Sequence, residues 1–251
     1  MNETVAAIIL SGGRGTRLNS TEVNKVTLPF QGKPIISYGV ELMSQLASQV
    51  VIVVGAFEES VRTTVANPDI IFAKQPEQLG TGHAAQIGFQ ALSENPPSLV
   101  LVGYGDHLMF YQPERIRTLI EKHLSQHAAI SFVTTIHQNP DELAWGRVER
   151  DAQGHVLDII EHKDATELQR KITELNAGFY CFSYDFLKEY IGQIQQSTVT
   201  GEYYLTDLIK IASVHELTIL AVPFPFEEVG IGINSQHELD ESQHLYAASH
   251  D

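Results

Sequence analysis

The sequence has 251 residues, of which 43% are hydrophobic and 19% charged, a composition typical of an ordinary globular protein rather than a disordered one. Its net charge of -15 argues against a broad electrostatic surface for nucleic acid or anionic lipid. No apolar run approaches the roughly 18–20 residues of a membrane span. A single cysteine, Cys181, excludes an intrachain disulfide framework and a cysteine-rich zinc site. Since the start also lacks the basic region of a signal peptide, we expect a cytoplasmic protein.

Short continuous apolar runs in the first half predict strands that are buried on both faces, at 5–10, 50–54, 70–73, 99–102 and 130–133. Stretches with helical character separate them, at 35–48, 58–65, 81–92 and 113–126. Strands that alternate with helices in this way predict an α/β fold. We expect a Rossmann-like, mostly parallel sheet with helices on both faces.

After Asn139-Pro140 the pattern changes, and short strands are predicted at 147–149 and 156–160 around a Gln153-Gly154 turn. Further on we expect strands at 175–182 and 217–222, helices at 184–194 and 203–214, and a last helix from about 235. No internal repeat or linker divides the chain. The expectation is one domain over 1–251 with a small β subdomain on the substrate side.

A glycine-rich segment follows the first predicted strand and contains Gly12, Gly13 and Gly15 together with Arg14 and Arg17. Open parallel sheets bind ligands at the carboxyl ends of their strands, so the segment is well located for binding. Glycines let backbone N–H groups approach phosphates closely, and arginines add charge-assisted contacts. The spacing predicts a phosphate-binding loop.

The charges near the start support this interpretation. Residues 1–33 have a net charge of +2, whereas the remainder has -17, because four basic residues lie there against two acidic ones: Arg14, Arg17, Lys25 and Lys33 against Glu3 and Glu22. A local cationic patch on an anionic body suits a small phosphorylated ligand better than a polymer.

Two well-known phosphate loops do not fit. A dinucleotide fingerprint requires a third glycine where Leu18 stands, and no Gly-Lys-Ser/Thr follows as a P-loop would require. A dinucleotide-dependent oxidoreductase is therefore the least favoured class.

Seven segments in register resemble the sugar-phosphate nucleotidylyltransferases, and most closely the uridylyltransferase domain of the bifunctional N-acetylglucosamine-1-phosphate enzymes of bacteria. The first is Gly-Gly-x-Gly-Thr-Arg-Leu at 12–18, which is followed by a lysine and by Gly-Lys-Pro-Ile-Ile at 32–36. The others lie at 75–84, 104–106, 146–147, 160–165, 174–178 and 201–207. The resemblance covers about residues 5 to 240 and implies the nucleotide-diphospho-sugar transferase fold. It also implies Mg²⁺ as cofactor, and a nucleoside triphosphate and a sugar 1-phosphate as small-molecule partners.

The resemblance also implies the site residues. The catalytic group is Arg17, Lys25 and Asp106, and the metal ligands are Asp106 and Asn234. The nucleotide-binding group is Leu10, Gly12, Gly13, Gly15, Thr16, Gln75, Gly80 and Thr81. The sugar-binding group is Tyr104, Gly146, Glu161, Asn176, Tyr204 and Thr206. Local roles compete with two of these assignments, since Thr81 and Asn234 each also fit a helix N-cap.

The sequence departs from the family pattern at several places. Asn24 replaces the usual proline before the lysine, Ser11-Gly12-Gly13 stands where close relatives have alanines, and Trp145 stands where tyrosine is common. No hexapeptide-repeat region follows, so we expect no left-handed β-helix acetyltransferase domain, and the oligomeric state is left open. Three histidines show no metal-binding spacing and are expected to be bystanders: His83, His107 and His162.

The primary hypothesis is magnesium-dependent transfer of a uridylyl group to N-acetylglucosamine 1-phosphate. One alternative keeps this chemistry with another hexose 1-phosphate or another nucleoside triphosphate. An alternative of another class is a nucleotide-sugar-binding regulatory protein that has lost catalysis, against which the presence of Arg17, Lys25 and Asp106 argues.

Overall fold

The computed structural model describes residues 3–13, 15, 23–92 and 96–250. Its strands are β1 (Val5–Ser11), β2 (Pro29–Phe30), β3 (Lys33–Pro34), β4 (Gln49–Val54), β5 (Ile70–Lys74), β6 (Leu99–Tyr104), β7 (Ile130–Ile136), β8 (Arg147–Arg150), β9 (Val156–Ile160), β10 (Glu174–Ser183) and β11 (Ile219–Pro223). Its helices are α1 (Ile35–Leu46), α2 (Glu58–Val65), α3 (Thr81–Gln90), α4 (Pro113–Ser125), α5 (Glu167–Arg170), α6 (Tyr184–Tyr190), α7 (Asp207–Val214), α8 (Phe226–Val229) and α9 (Gln236–His250).

The main sheet is mixed but mostly parallel, as the sequence predicts. Its strands follow the order β11-β7-β10-β6-β1-β4-β5, and β1 lies parallel to both β4 and β6 at the centre. Only β10 in this row runs antiparallel to its neighbours, β6 and β7. The hairpin β8–β9 extends from β10 through the pair Leu175 and Arg147 and forms the small β subdomain.

Both faces of the sheet are covered, which explains the continuous apolar runs. Along β1, Ala7 and Ile9 pack on the face that α1, α2 and α4 cover, whereas Ile8 and Leu10 pack on the face that α3, α6 and α7 cover. Successive side chains of a strand point to opposite faces, so a strand buried on both faces is apolar at every position.

The parallel strands bring the loops that follow them to one edge of the sheet. The next residues after β1, β4, β5 and β6 are Gly12, Gly55, Gln75 and Gly105. Since β10 runs in the opposite direction, its first residues, including Asn176, reach the same edge. This edge is where the Rossmann-like topology predicts a ligand.

Several predicted bounds are wrong. The helix predicted over 203–214 begins at Asp207, because Tyr203 instead exchanges backbone hydrogen bonds with Leu79 and Gly82. The helix predicted over 184–194 ends at Tyr190 and continues as a 3₁₀ turn over 191–193. The fourth strand continues through Gly103, where a Cβ atom would lie 2.7 Å from Leu108 Cδ2.

The other predicted strands are within two residues of the observed ones, except that β7 continues three residues further, to Ile136. The short hairpin β2–β3 was not predicted. In the part of the chain that the structure describes, no helix is long and apolar enough to cross a membrane.

Candidate functional site

A cleft of about 520 Å³ lies at the carboxyl edge of the parallel strands. Most of the predicted site residues line it: Leu10, Gly12, Gly13, Lys25, Gln75, Gly80, Thr81, Tyr104, Asp106, Gly146, Glu161, Asn176, Tyr204 and Asn234. They come from segments far apart in sequence, and the fold brings them into one site.

Lys25 lies at the centre of this site. Its ammonium donates to Asp106 Oδ2 in a short ion pair and to Asn234 Oδ1 at 2.7 Å. The side chains of Lys25 and Asp106 are 13% and 16% exposed, so the pair is screened from solvent and is stronger than a surface pair. A carboxylate oxygen and an amide oxygen therefore converge on one cationic centre.

The backbone around Asp106 and Asn234 fixes this convergence. Ile233 N–H donates to the Asp106 carbonyl at 3.0 Å, which joins the loop after β6 to the segment before α9. Ser235, and not Asn234, caps α9: its hydroxyl accepts from Glu238 N–H, and the Glu238 carboxylate accepts from Asn234 N–H at 2.9 Å. The Asn234 side chain is thereby free to face Lys25, so the N-cap interpretation of this residue is wrong.

On one side of Lys25 the cleft is formed by the Gln75 segment. Gln75 is buried, and its amide nitrogen donates to Gly80 O at 3.1 Å and lies 3.2 Å from His83 Nδ1. Its carbonyl oxygen faces Gly12, where an added Cβ would come within 2.6 Å of it. Gln78 donates to Gly12 O at 2.8 Å and ties this segment to the glycine-rich loop.

Thr81 opens α3 but does not cap it. The N-cap is Gly80, with φ of 108°, and the Thr81 hydroxyl accepts from Leu205 N–H at 3.0 Å. The capping interpretation is therefore wrong. Thr81 instead connects the Gln75 side of the cleft to the segment that carries Tyr204 and Thr206.

On the other side of Lys25 the cleft contains Glu161, which follows β9. Its carboxylate accepts from the Thr206 hydroxyl at 2.9 Å. Burial raises the pKa of Glu161 to about 7; the Thr206 hydrogen bond opposes the rise, and the nearby charge of Asp164 adds to it. Near neutral pH this side chain can therefore donate or accept a hydrogen bond.

Asn176 lies deep on the same side. Its amide nitrogen donates to the Tyr180 hydroxyl at 2.6 Å, and its backbone N–H donates to Gly146 O at 2.9 Å. The register of β10 shifts between Asn176 and Tyr180, and Gly178 there has φ of 72°. A Cβ on Gly178 would come within 2.5 Å of the Tyr104 ring, so glycine permits that ring to line the cleft.

Comparison with known proteins shows the family of the chain. The family model described as nucleotidyl transferase matches residues 6–227. The chain belongs to the nucleotidyl transferase family. The bifunctional protein GlmU of Geotalea daltonii is 40% identical over 240 residues, which cover 95% of this chain and 51% of that protein. GlmU of Geobacillus sp. is 36% identical over 240 residues, with the same coverage. The chain thus spans about half the length of the curated relatives that it matches.

Solved structures share the fold of this transferase. A putative glucose-1-phosphate thymidylyltransferase from Bacillus anthracis superposes with a TM-score of 0.75 at 19% identity, covering 99% of this chain and 96% of that one. A UDP-glucose pyrophosphorylase superposes with a TM-score of 0.76 at 17% identity, covering 98% and 99%. At these identities the likeness establishes the fold alone.

Some predicted site residues do not line the cleft of the transferase. Gly15, with φ of 63°, packs under Lys25 instead, since an added Cβ would lie 2.8 Å from Lys25 Cβ. Thr206 does not line the cleft itself but donates a hydrogen bond to the Glu161 carboxylate, which does. Lys33, predicted as part of the cationic patch, pairs with Glu41 at 2.5 Å outside the cleft. Arg14, Thr16 and Arg17 lie outside the described residues.

Several residues that line or organise the cleft were not predicted from the sequence. Glu238 lines it beside Asn234, and the capping-box spacing Ser235-x-x-Glu238 was a usable signal. His83 and His107, expected to be bystanders, have contacts there: His83 with the Gln75 amide, and His107 with Gly230 O at 3.2 Å. No local pattern predicts the His107 contact, because it joins segments that are far apart in the sequence.

The donor set of this transferase fits a magnesium ion. Mg²⁺ prefers one or two carboxylate or amide oxygens together with phosphate and water oxygens. Asp106 Oδ2 and Asn234 Oδ1 already converge on one ammonium group. Among the described residues, no cluster of three His, Cys, Asp or Glu side chains offers a competing metal site.

Proposed function

We propose that the protein transfers a uridylyl group from UTP to N-acetylglucosamine 1-phosphate and releases pyrophosphate, with Mg²⁺ as cofactor. The observation that carries the proposal is the Lys25 ammonium on Asp106 and Asn234, between a polar amide side and a carboxylate side of one cleft. The sequence motifs that resemble the uridylyltransferase domain support these substrates, and the chain is 40% identical to GlmU of Geotalea daltonii over 95% of its length.

The Gln75 side suits a uracil base. Because the Gln75 amide nitrogen donates to Gly80 O and also lies beside His83 Nδ1, its carbonyl oxygen is the group that remains for a ligand. Uracil carries a donor at N3, whereas N3 of cytosine is an acceptor. A uridine nucleotide is therefore favoured over a cytidine nucleotide, and backbone groups of Leu10, Gly12 and Gly80 complete this side.

The Glu161 side suits an amino-sugar phosphate. Glu161 and Asn176 offer acceptors and a donor for sugar hydroxyls and an acetamido group, and Gly146 lines the cleft beside them. Tyr104 and Tyr204 line the same side with aromatic surface. Sugars are commonly bound by polar side chains around an apolar ring face, and this side has both.

The reaction we propose is an in-line displacement. An oxygen of the sugar phosphate attacks the α-phosphorus of UTP, a new P–O bond forms, and the bond to pyrophosphate breaks without a covalent enzyme intermediate. Such chemistry depends on positioning and on charge stabilisation. Bound to Asp106 and Asn234, Mg²⁺ would neutralise phosphate charge. The chain's own part is to orient the base at Gln75, to hold the sugar at Glu161, and to present the Lys25 cation to the phosphates. Arg17 is proposed as a second cation from the sequence alone.

A pyrophosphate-release assay tests this function. UTP, CTP, dTTP and ATP are each paired with the 1-phosphates of N-acetylglucosamine, glucosamine and glucose, with and without Mg²⁺. We expect the fastest turnover with UTP and N-acetylglucosamine 1-phosphate and none without metal. Faster turnover with another pair would reassign the substrate. Tight binding of a nucleotide sugar with no turnover for any pair would favour the regulatory alternative.

Lys25→Ala tests the central cation. We expect turnover to fall a hundredfold or more, since a charged group aimed at developing charge typically contributes about 2–4 kcal/mol to transition-state stabilisation. Lys33→Ala is the matched control, because Lys33 pairs with Glu41 outside the cleft. Equal rates for Lys25→Ala and the wild type, with both folded by circular dichroism, would remove Lys25 from the mechanism.

A further inference from the structure

We infer that Asn24 is a positioning residue that fixes Lys25 relative to the glycine-rich loop, and that its side-chain amide does so by joining the end of β1 and the glycine-rich loop to the loop after β4. The inference rests on the proposed function for its kinetic test. In the family resemblance, Asn24 is notable only because it replaces the proline that usually precedes the lysine.

The Asn24 side chain is fully buried and reaches three backbone carbonyls. Its amide nitrogen lies 3.0 Å from Ser11 O, 3.3 Å from Gly13 O and 2.9 Å from Ala56 O. The two N–H groups are thus shared among the end of β1, the glycine-rich loop and the loop after β4. Among the residues that the structure describes, no regular backbone pairing of a strand or helix joins Asn24 to these segments.

The same residue begins the turn that carries Lys25. Asn24 Oδ1 accepts from Val26 N–H at 3.2 Å, and the Asn24 carbonyl accepts from Thr27 N–H at 2.9 Å, which forms the 3₁₀ turn Lys25–Thr27. Its own N–H donates to the Ser60 hydroxyl at 2.9 Å, near the start of α2. Every polar group of Asn24 therefore has a partner.

This arrangement determines where the Lys25 ammonium can lie. Lys25 is the first residue of the turn and packs against Gly15, a member of the same loop that Asn24 holds through Gly13. Releasing the amide would free the glycine-rich loop and the lysine turn to move separately. A misplacement of about 1 Å at a reacting group can cost a hundredfold in rate.

Two substitutions distinguish the role of the Asn24 side chain from the role of its backbone N–H. Asn24→Ala removes the amide. Asn24→Pro also removes the N–H, yet it suits the observed φ of -71° and ψ of 140°, so the backbone of the turn is retained. Asn67→Ala is the matched control, since Asn67 Oδ1 accepts from Asp69 N–H in a surface turn outside the cleft.

The kinetic test is a double-mutant cycle with Lys25→Ala, measured by pyrophosphate release. We expect Asn24→Ala and Asn24→Pro each to lower kcat/KM by about ten- to a hundredfold in the wild-type background, and by less than about threefold in the Lys25→Ala background. A general structural defect would lower both backgrounds by the same factor. That equal factor, or unchanged rates in the wild-type background, would overturn the inference.

A crystal structure of the free Asn24→Ala variant gives a result that does not depend on the reaction. We expect Lys25 Nζ to leave Asn234 Oδ1, 2.7 Å away in the wild type, and Ser11 O and Ala56 O to separate. An unmoved lysine and loop would contradict the inference whatever the enzyme's substrate. If the wild type releases no pyrophosphate but the lysine moves in the variant, the proposed function fails while the positioning role holds.

Discussion

Glu161 combines a proposed role in sugar binding with a cost to folding. It lies at the end of β9 among other carboxylates, and burial raises its pKa to about 7. Burial also raises the pKa of the neighbouring Asp207, to about 6. An acid whose pKa is higher in the folded than in the unfolded state makes folding less favourable as pH rises. Near neutral pH the Glu161 carboxyl can therefore be protonated or ionised where a sugar with several hydroxyls is proposed to bind.

Glu161→Gln is expected to stabilise the protein in a pH-dependent way. Below pH 4.5, the ordinary pKa of this carboxyl, the wild-type side chain is protonated in both the folded and the unfolded state. As pH rises from 4.5 to about 7, the side chain ionises in the unfolded state before it does in the folded state, and stability is lost. The full shift corresponds to about 3 kcal/mol, which partial exposure reduces to about 1–2 kcal/mol. Urea unfolding at pH 5 and pH 8.5 measures the difference. A gain over wild type that is no larger at pH 8.5 would contradict the assignment, and the exposed Glu121→Gln serves as control.

At the scale of elements, an aromatic cluster holds together the three segments that carry Lys25, Asp106 and Asn234. Phe30 in β2, Phe110 after β6 and Tyr246 in α9 meet there, with the Tyr246 ring centroid 5.3 Å from each of the other two. Ser242 adds to this by donating to Ile231 O at 3.0 Å. Helix α9 therefore positions the loop of Asn234 from outside the cleft.

Tyr246→Ala tests this role of α9. We expect a loss of about 1–3 kcal/mol in stability, because a partly buried ring leaves the cluster. We also expect the Mg²⁺ concentration at half-maximal rate to rise severalfold, since Asn234 is held less firmly. Tyr190→Ala is the control: Tyr190 packs at 5.0 Å on Phe186 on the opposite face of the sheet. An equal change in Mg²⁺ dependence in both variants would rule out a specific role.

At the scale of the whole molecule, the fold was largely predictable and the site only in part. Strands buried on both faces, such as β1 and β4, are continuous apolar runs, so their positions were clear from the sequence. The segment at 203–206 contains apolar residues, as a helix would, but the Tyr203 backbone forms hydrogen bonds with the segment that precedes and begins α3. Its non-helical state depends on contacts with Leu79 and Gly82, which no local pattern encodes.

The same limit applies to the site. Described residues of the loop after β1 and the residues after β5 and β6 line one cleft, because a parallel sheet gathers such positions at one edge. The role of Asn24 was not predicted, since its partners Ser11 and Ala56 lie 13 and 32 residues away. Likewise, the sequence analysis considered Asn234 as the cap of α9, whereas in the structure the Ser235 hydroxyl accepts from Glu238 N–H.

The proposed function requires that a polyphosphate and a divalent ion bind together between the glycine-rich loop, Lys25, Asp106 and Asn234. A crystal soaked with UTP and Mn²⁺, with the metal located by its anomalous signal, tests it most directly. We predict an ion bound to Asp106 and Asn234, with the triphosphate against Gly12, Gly13 and Lys25. An ion elsewhere, or a triphosphate that avoids the glycine-rich loop, would contradict the account.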